Sequence, residues 1–322
     1  MGMDEELHDP FGDRAQPGHG PSVPAAGSQP GTRVGAPAPA GDTLDPSLGP
    51  PVNDWPVWTG FVVLLVALVL AAVGGLIVDI PALLLGVKIS SKHIPPGLEL
   101  GDTVVQDVAF VLAAVLFAQI GGRKARSWQF GFRPTPARRA AGLVVLTIVG
   151  FLIFTAVWSV ALDLSTKEKL LEQLGANDTT LLLALSALLT TVIAPICEET
   201  LFRGYVFAAL SKWRGWLPAA AITGVLFGGV HAGSAPAADL VPLAVLGFAL
   251  CWLYRRTGSL YPCIVTHSLN NSLAFGALEK WGWQIPLLMV GALATIWLIA
   301  TVARWIGLIS AAPASVAVGP TS

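Results

Sequence analysis

The chain has 322 residues, 54% of them hydrophobic, with only 12% Asp, Glu, Lys or Arg and a formal net charge of -1. That charged share is about half the share of a soluble domain, which excludes an ordinary cytosolic globule and leaves a polytopic helical membrane protein. No basic excess argues for nucleic acid, and three cysteines without a CxxC pair (Cys197, Cys251, Cys263) argue for buried inert thiols rather than a disulfide framework or a zinc knuckle.

In chain order, residues 1–54 come first and are rich in Pro, Gly, Ala and Asp with almost no aliphatic run. Such a segment cannot bury enough apolar surface to offset its ordering entropy, so a disordered tail is expected. It lacks the basic start and early apolar run of a secretory signal, and no cleavage is expected there. A helical membrane domain over 55–306 follows, and then a short flexible tail over 307–322. The fold class is all-α with about eight transmembrane helices.

The eight apolar segments run roughly over 57–79, 103–121, 140–162, 179–210, 218–232, 240–254, 261–278 and 284–303. A span needs about 20 apolar residues. The fourth segment is therefore too long, and the fifth and sixth are short. Loop charge then sets sides. Arg123, Lys124, Arg126, Arg133, Arg138 and Arg139 follow the second segment; Lys212, Arg214, Arg255, Arg256 and Arg304 fall on the same side if each segment crosses once. Lys88, Lys92, Lys167, Lys169 and Lys280 fall on the other. The positive-inside rule puts both termini in the cytoplasm, in an integral protein of the plasma membrane. Trp58, Trp128, Trp213, Trp216, Trp281 and Trp283 sit near segment ends, where interfacial anchors belong.

Few ionisable groups lie inside the apolar segments: Glu198, Glu199, Arg203, His231 and His267, with Asp107 and Asp239 nearer segment ends. In a bilayer such groups are expensive and face the bundle interior. Glu199 and Arg203 are i,i+4 and can pair as a supporting ion pair. Glu198 is rotated 100° away and has no such partner. His267 and Asn271 share a face by the same spacing, as do Phe227 and His231. Glu198 lies fourteen residues before Lys212 and His231 fourteen after Leu217. Two antiparallel helices leaving that turn would put both about 21 Å from it, at one level. Pro195 predicts a kink beside the glutamates.

An unpaired glutamate beside a histidine in low dielectric is a general base for water. His267 and Asn271 can donate to a developing oxyanion. Alternatively, Glu198, His231 and His267 are a zinc ligand set with an open position. Both routes end in hydrolysis of an acyl bond. Each element also has a plainer reading. A lone buried histidine is more often a satisfied core group, a His/Asn pair can be interhelical glue, Phe227 reads as packing and Asp107 as an interior hydrogen bond.

The motifs "EETLFR" (Glu198, Glu199, Arg203), "FGGVH" (Phe227, His231) and "HSLNN" (His267, Asn271) come in that order on three segments. This pattern resembles the CAAX protease and bacteriocin-processing (CPBP, or Abi) family of intramembrane endopeptidases, which includes the type II CAAX prenyl endopeptidases. The stretch "RRTGSLYPCIVTHSLNN" over 255–271 is similar to the family's approach to its last motif. The resemblance covers about 100–280. It implies that Glu198 activates water with help from His231, that His267 and Asn271 stabilise the oxyanion, and that Glu199 and Arg203 support them. Such enzymes have been classed as metallopeptidases. Asn271 suits an amide donor better than a zinc ligand, so the metal-free glutamate mechanism is preferred and no cofactor is required on it; zinc is the alternative.

The implied partner is a peptide or membrane-protein substrate, lipidated proteins included. Two other classes use the same polar cavity: a proton-coupled transporter, and a non-catalytic peptide-binding factor for immunity or sorting. The first is weakened by the lack of an obvious inverted repeat.

Overall fold

The computed structural model describes residues 51, 53–88, 94–122, 124–162 and 179–310. Most of the predicted tails lies outside the described residues, as do Arg123, Lys92, Lys167 and Lys169. The fold among the described residues is all-helical. Its eight long helices are α1 (Thr59–Leu84), α2 (Pro96–Ala118), α3 (Ala137–Ala161), α4 (Thr180–Arg214), α5 (Trp216–Val230), α6 (Leu240–Thr257), α7 (Leu260–Leu278) and α8 (Gln284–Trp305). Each answers one predicted apolar segment. The largest differences are at α1, which runs through Pro81 to Leu84, and at α2, which starts at Pro96. Proline at a first helical position needs no amide donor, which explains the early start of α2.

α1 to α4, α8, and α6 with its short lead-in are long and apolar enough to cross a membrane. The other two carry two of the three motifs. α5 has only 15 residues, and α7 is long enough but holds Thr266, His267, Ser268, Asn270, Asn271 and Ser272. A helix as polar as α7 stands in a bilayer when others surround it. α1, α3 and α8 turn large apolar side chains outward, among them Ile77, Ile153 and Trp297. α4, α6 and α7 supply most of the interior, including Leu201, Phe202, Leu250 and Ile264. The chain is an integral membrane protein built around α4. Trp58, Trp213 and Trp283 are exposed and stand at helix ends.

α4 explains how one segment can be too long. Its 35 residues are broken by two wider, π-helical stretches, Leu189–Ile193 and Phe202–Phe207. The first precedes Pro195 and is the form the predicted irregularity takes. In it the Ala194 amide bonds back five residues to Leu189 O. The next amide in that pattern would serve Thr190 O, but it belongs to Pro195, which has none. One carbonyl in the bundle interior is thus left for another partner. α4 ends at Gly215, whose φ of 83° favours glycine, and α5 starts at the next residue. This single-residue reversal makes α4 and α5 neighbours.

α5 and α6 pack against each other through glycines. A Cβ on Gly224 would stand 2.6 Å from Ala244 O, one on Gly228 2.5 Å from Leu240 O, and one on Gly247 2.9 Å from Gly224 Cα. This is the small-residue seam by which membrane helices approach closely. Gly228→Leu should therefore force the two helices apart. The expected result is a lower melting temperature in detergent and weaker protection of α5 amides in hydrogen exchange.

One end of the bundle is knitted by the predicted basic loops. Arg133 Nε donates to Gly258 O at 2.6 Å, Ser259 Oγ to Arg133 O at 2.6 Å, and Tyr254 OH to Phe130 O at 3.0 Å. Lys212 Nζ reaches Trp55 O at 3.2 Å, and the Ser310 amide reaches Ser127 Oγ at 2.9 Å. Asn53, which the sequence reading left in the tail, is buried and donates to Gln129 O at 2.9 Å. The residues leading into α1 and out of α8 therefore lie at the same end as the 124–136 loop. Burial at that end pushes the Arg133 guanidinium below its ordinary range, while Tyr254 acts the other way.

Candidate active site

Glu198, Glu199 and Arg203 lie on α4, where the regular Ala194–Leu201 turns meet the second wide stretch. All three are buried, Glu199 and Arg203 completely. Arg203 Nη1 donates to Glu199 Oε1 at 2.8 Å, so the pair expected from spacing is formed. Its other terminal nitrogen donates to Gly247 O at 3.0 Å, and the guanidinium stands 4.5 Å from the Phe227 ring centroid. The glycine seam brings that carbonyl close. A buried arginine needs this many partners because an uncompensated charge in the interior is strongly destabilising.

Glu199 has a second partner that spacing could not show. His267 Nδ1 lies 2.8 Å from the same Oε1, from α7. A carboxylate accepts, so Nδ1–H donates, and this bond fixes the imidazole. The opposite nitrogen, Nε2, stands 3.9 Å from Glu198 Oε2. Glu198 Oε2 itself is buried and has no hydrogen-bond partner among the described residues. The two adjacent glutamates therefore differ in kind. Glu199 is shared between Arg203 and His267; Glu198 faces the far side of the histidine that Glu199 holds.

His231 is the residue that ends α5. Its Nδ1 lies 2.7 Å from Phe227 O, a carbonyl of the last turn, so Nδ1–H donates and Nε2 is left free of that bond. The Phe227 ring lies between the two histidines, with centroids 5.0 Å from His231 and 5.6 Å from His267. Phe227 is thus packing, as its spacing suggested, but it is packing that spaces both imidazoles and the guanidinium. No hydrogen bond joins His231 to Glu198 among the described residues.

Asn271 lies one turn further along α7. Its amide donates to Thr190 O at 3.0 Å, the carbonyl left over by Pro195 and the wide turn. This contact ties α7 to α4, and the signal for it was Pro195 itself. The amide has a second N–H to give. Asn271→Ala should leave the half-buried Thr190 O without this donor, at about 0.5–1.5 kcal/mol. A lower thermal midpoint, with amide exchange faster around 189–195, checks it.

Among the described residues no three His, Cys, Asp or Glu side chains are grouped to hold a metal ion. His267 Nδ1 and His231 Nδ1 are engaged with Glu199 and Phe227, which leaves each ring's Nε2 open, that of His267 3.9 Å from Glu198.

The motif order, now with its geometry, can be compared with known proteins. The family model of type II CAAX prenyl endopeptidases of the Rce1-like kind matches residues 180–273. Residues 180–273 form an Rce1-like segment. It contains the whole site, from the first turn of α4 to the HSLNN turn of α7.

The chain is 30% identical over 115 residues to "Putative membrane peptidase YdiL" of Bacillus subtilis (strain 168), covering 33% of this chain and 46% of that protein. It is 31% identical over 88 residues to "UPF0177 protein YxdF" of Lactococcus lactis subsp. lactis (strain IL1403), covering 27% and 47%. The matched stretches thus span about half the length of these relatives. No solved structure matches the chain.

Proposed function

We propose that the Rce1-like segment is the active site of an intramembrane endopeptidase of the CPBP type. The observation that carries this reading is the division of labour between the glutamates. Glu199 Oε1 is shared between Arg203 and His267 at 2.8 Å each, and Glu198 stands unpaired 3.9 Å from the far nitrogen of that histidine. The peptidase name of the Bacillus relative supports the same reaction class.

In the reaction, Glu198 takes a proton from water as the water oxygen attacks the scissile carbonyl carbon. His231 Nε2, left with a lone pair, shares that water. The carbonyl π pair moves to oxygen. The resulting oxyanion accepts hydrogen bonds from the second N–H of Asn271 and from His267, which in its doubly protonated form donates from Nε2 while keeping Glu199 on Nδ1. The tetrahedral centre collapses with loss of the amine, which receives the proton held by Glu198. No metal or other cofactor takes part in these steps. The substrate is a peptide or membrane protein, lipidated ones included, reached near the cytoplasmic face of the plasma membrane.

New protein termini should arise in membranes from cells making the wild type and be missing from those making Glu198→Gln, with a chelator leaving the yield unchanged. Identical termini in both would overturn the reading. Termini abolished by chelator alone would restore the zinc alternative.

A further inference from the structure

One buried carboxyl in the layer of Glu198 takes no part in the steps above. Asp107 lies on α2, which packs against the Ala194–Leu201 turns of α4. The residue is 1% exposed, and neither carboxyl oxygen has a hydrogen-bond partner among the described residues. It is close enough to Glu198 and to Cys197 for their charges to interact. A carboxyl with both oxygens orphaned in an apolar bundle costs stability, and each such group in a native structure needs a reason. Helix packing supplies none here: its neighbours on α2, Ala109, Phe110, Ala113 and Ala114, are apolar and fully packed. The orphaned oxygen of Glu198 needs a partner as well. Polar atoms left bare on two helices packed against each other are the groups that buried water serves.

We propose that Asp107 is a further catalytic residue, the second carboxyl of the water site, which together with Glu198 holds and orients the attacking water. This rests on the endopeptidase reading. Glu198 receives one proton; the second water hydrogen is shared between Asp107 and His231 Nε2, which fixes the oxygen lone pair on the carbonyl. The proposal adds a residue from α2, outside the Rce1-like segment, to a site otherwise built from α4, α5 and α7.

The test uses the full-length protein in liposomes, with Asp107→Leu, Asp107→Asn and Glu198→Gln measured beside wild type for kcat, KM and thermal midpoint. Asp107→Leu should lose up to about 100-fold in kcat, the scale of a misplaced reactant, at unchanged KM. Its thermal midpoint should hold or rise, because an unpaired polar group has been removed. Asp107→Asn can still hydrogen-bond water and should fall between Asp107→Leu and wild type. Asp107→Leu as fast as wild type overturns the proposal, as does a lowered midpoint in both Asp107 variants, which makes the carboxyl structural. If wild type cleaves nothing, or Glu198→Gln cleaves as well, the endopeptidase reading itself fails and takes this one with it.

Discussion

Glu198→Gln should lose at least ~10²–10⁴-fold in turnover, the contribution of a general base, while inserting and melting like wild type. Glutamine keeps the shape and can still hydrogen-bond, so the loss isolates proton transfer. Stability should hold because Glu198 makes no hydrogen bond through Oε2 that the fold would miss. Purified wild type and variant, compared for cleavage rate and thermal midpoint in one detergent, check both halves. A variant that melts early would instead make Glu198 a structural group.

The reverse pattern is expected on the other side of His267. Arg203→Met should cost about 3–5 kcal/mol, the scale for breaking a buried pair by removing one partner. It strands the Glu199 carboxylate and leaves Gly247 O without its donor. His267 then holds Glu199 alone. Glu199→Gln combined with Arg203→Met removes both charges and should recover much of the stability, because apolar replacement of a whole buried pair is often neutral. The double variant should still cleave slowly, since a glutamine holds the His267 ring less firmly than a carboxylate. Urea or thermal unfolding of the single and double variants, with cleavage rates alongside, measures the separation. Equal stability in wild type and Arg203→Met would contradict the role given to the pair.

These two outcomes separate what could be read from sequence from what could not. Hydropathy located all eight long helices, because a bilayer leaves few ways to satisfy backbone groups. The i,i+4 rule found the Glu199–Arg203 pair and singled out Glu198, because both statements concern one helix. It could not find His267 on Glu199, a contact across 68 residues of chain that depends on how α7 is rotated. The long fourth segment looked like a counting problem. It is one helix widened at Leu189–Ile193 and Phe202–Phe207, and no spacing rule marks a π-helical turn. Pro195 came nearest to marking it: a kink was expected there and a wide turn precedes it, but the consequence, a free Thr190 carbonyl taken by Asn271, needed the neighbouring helix. Phe227 read correctly as packing and was undervalued for that reason. Its ring touches both histidines and Arg203, so it sets the distances on which the chemistry depends.

The central claim is that water, activated at Glu198, attacks the peptide bond directly. A single turnover in heavy-oxygen water, with enzyme in excess over a labelled membrane peptide, tests it most directly. The account predicts one heavy oxygen in the new carboxyl group of the first product and none in the Glu198 side chain. An unlabelled first product, with the label found instead in the enzyme peptide that carries Glu198, would make that glutamate a nucleophile and contradict the account.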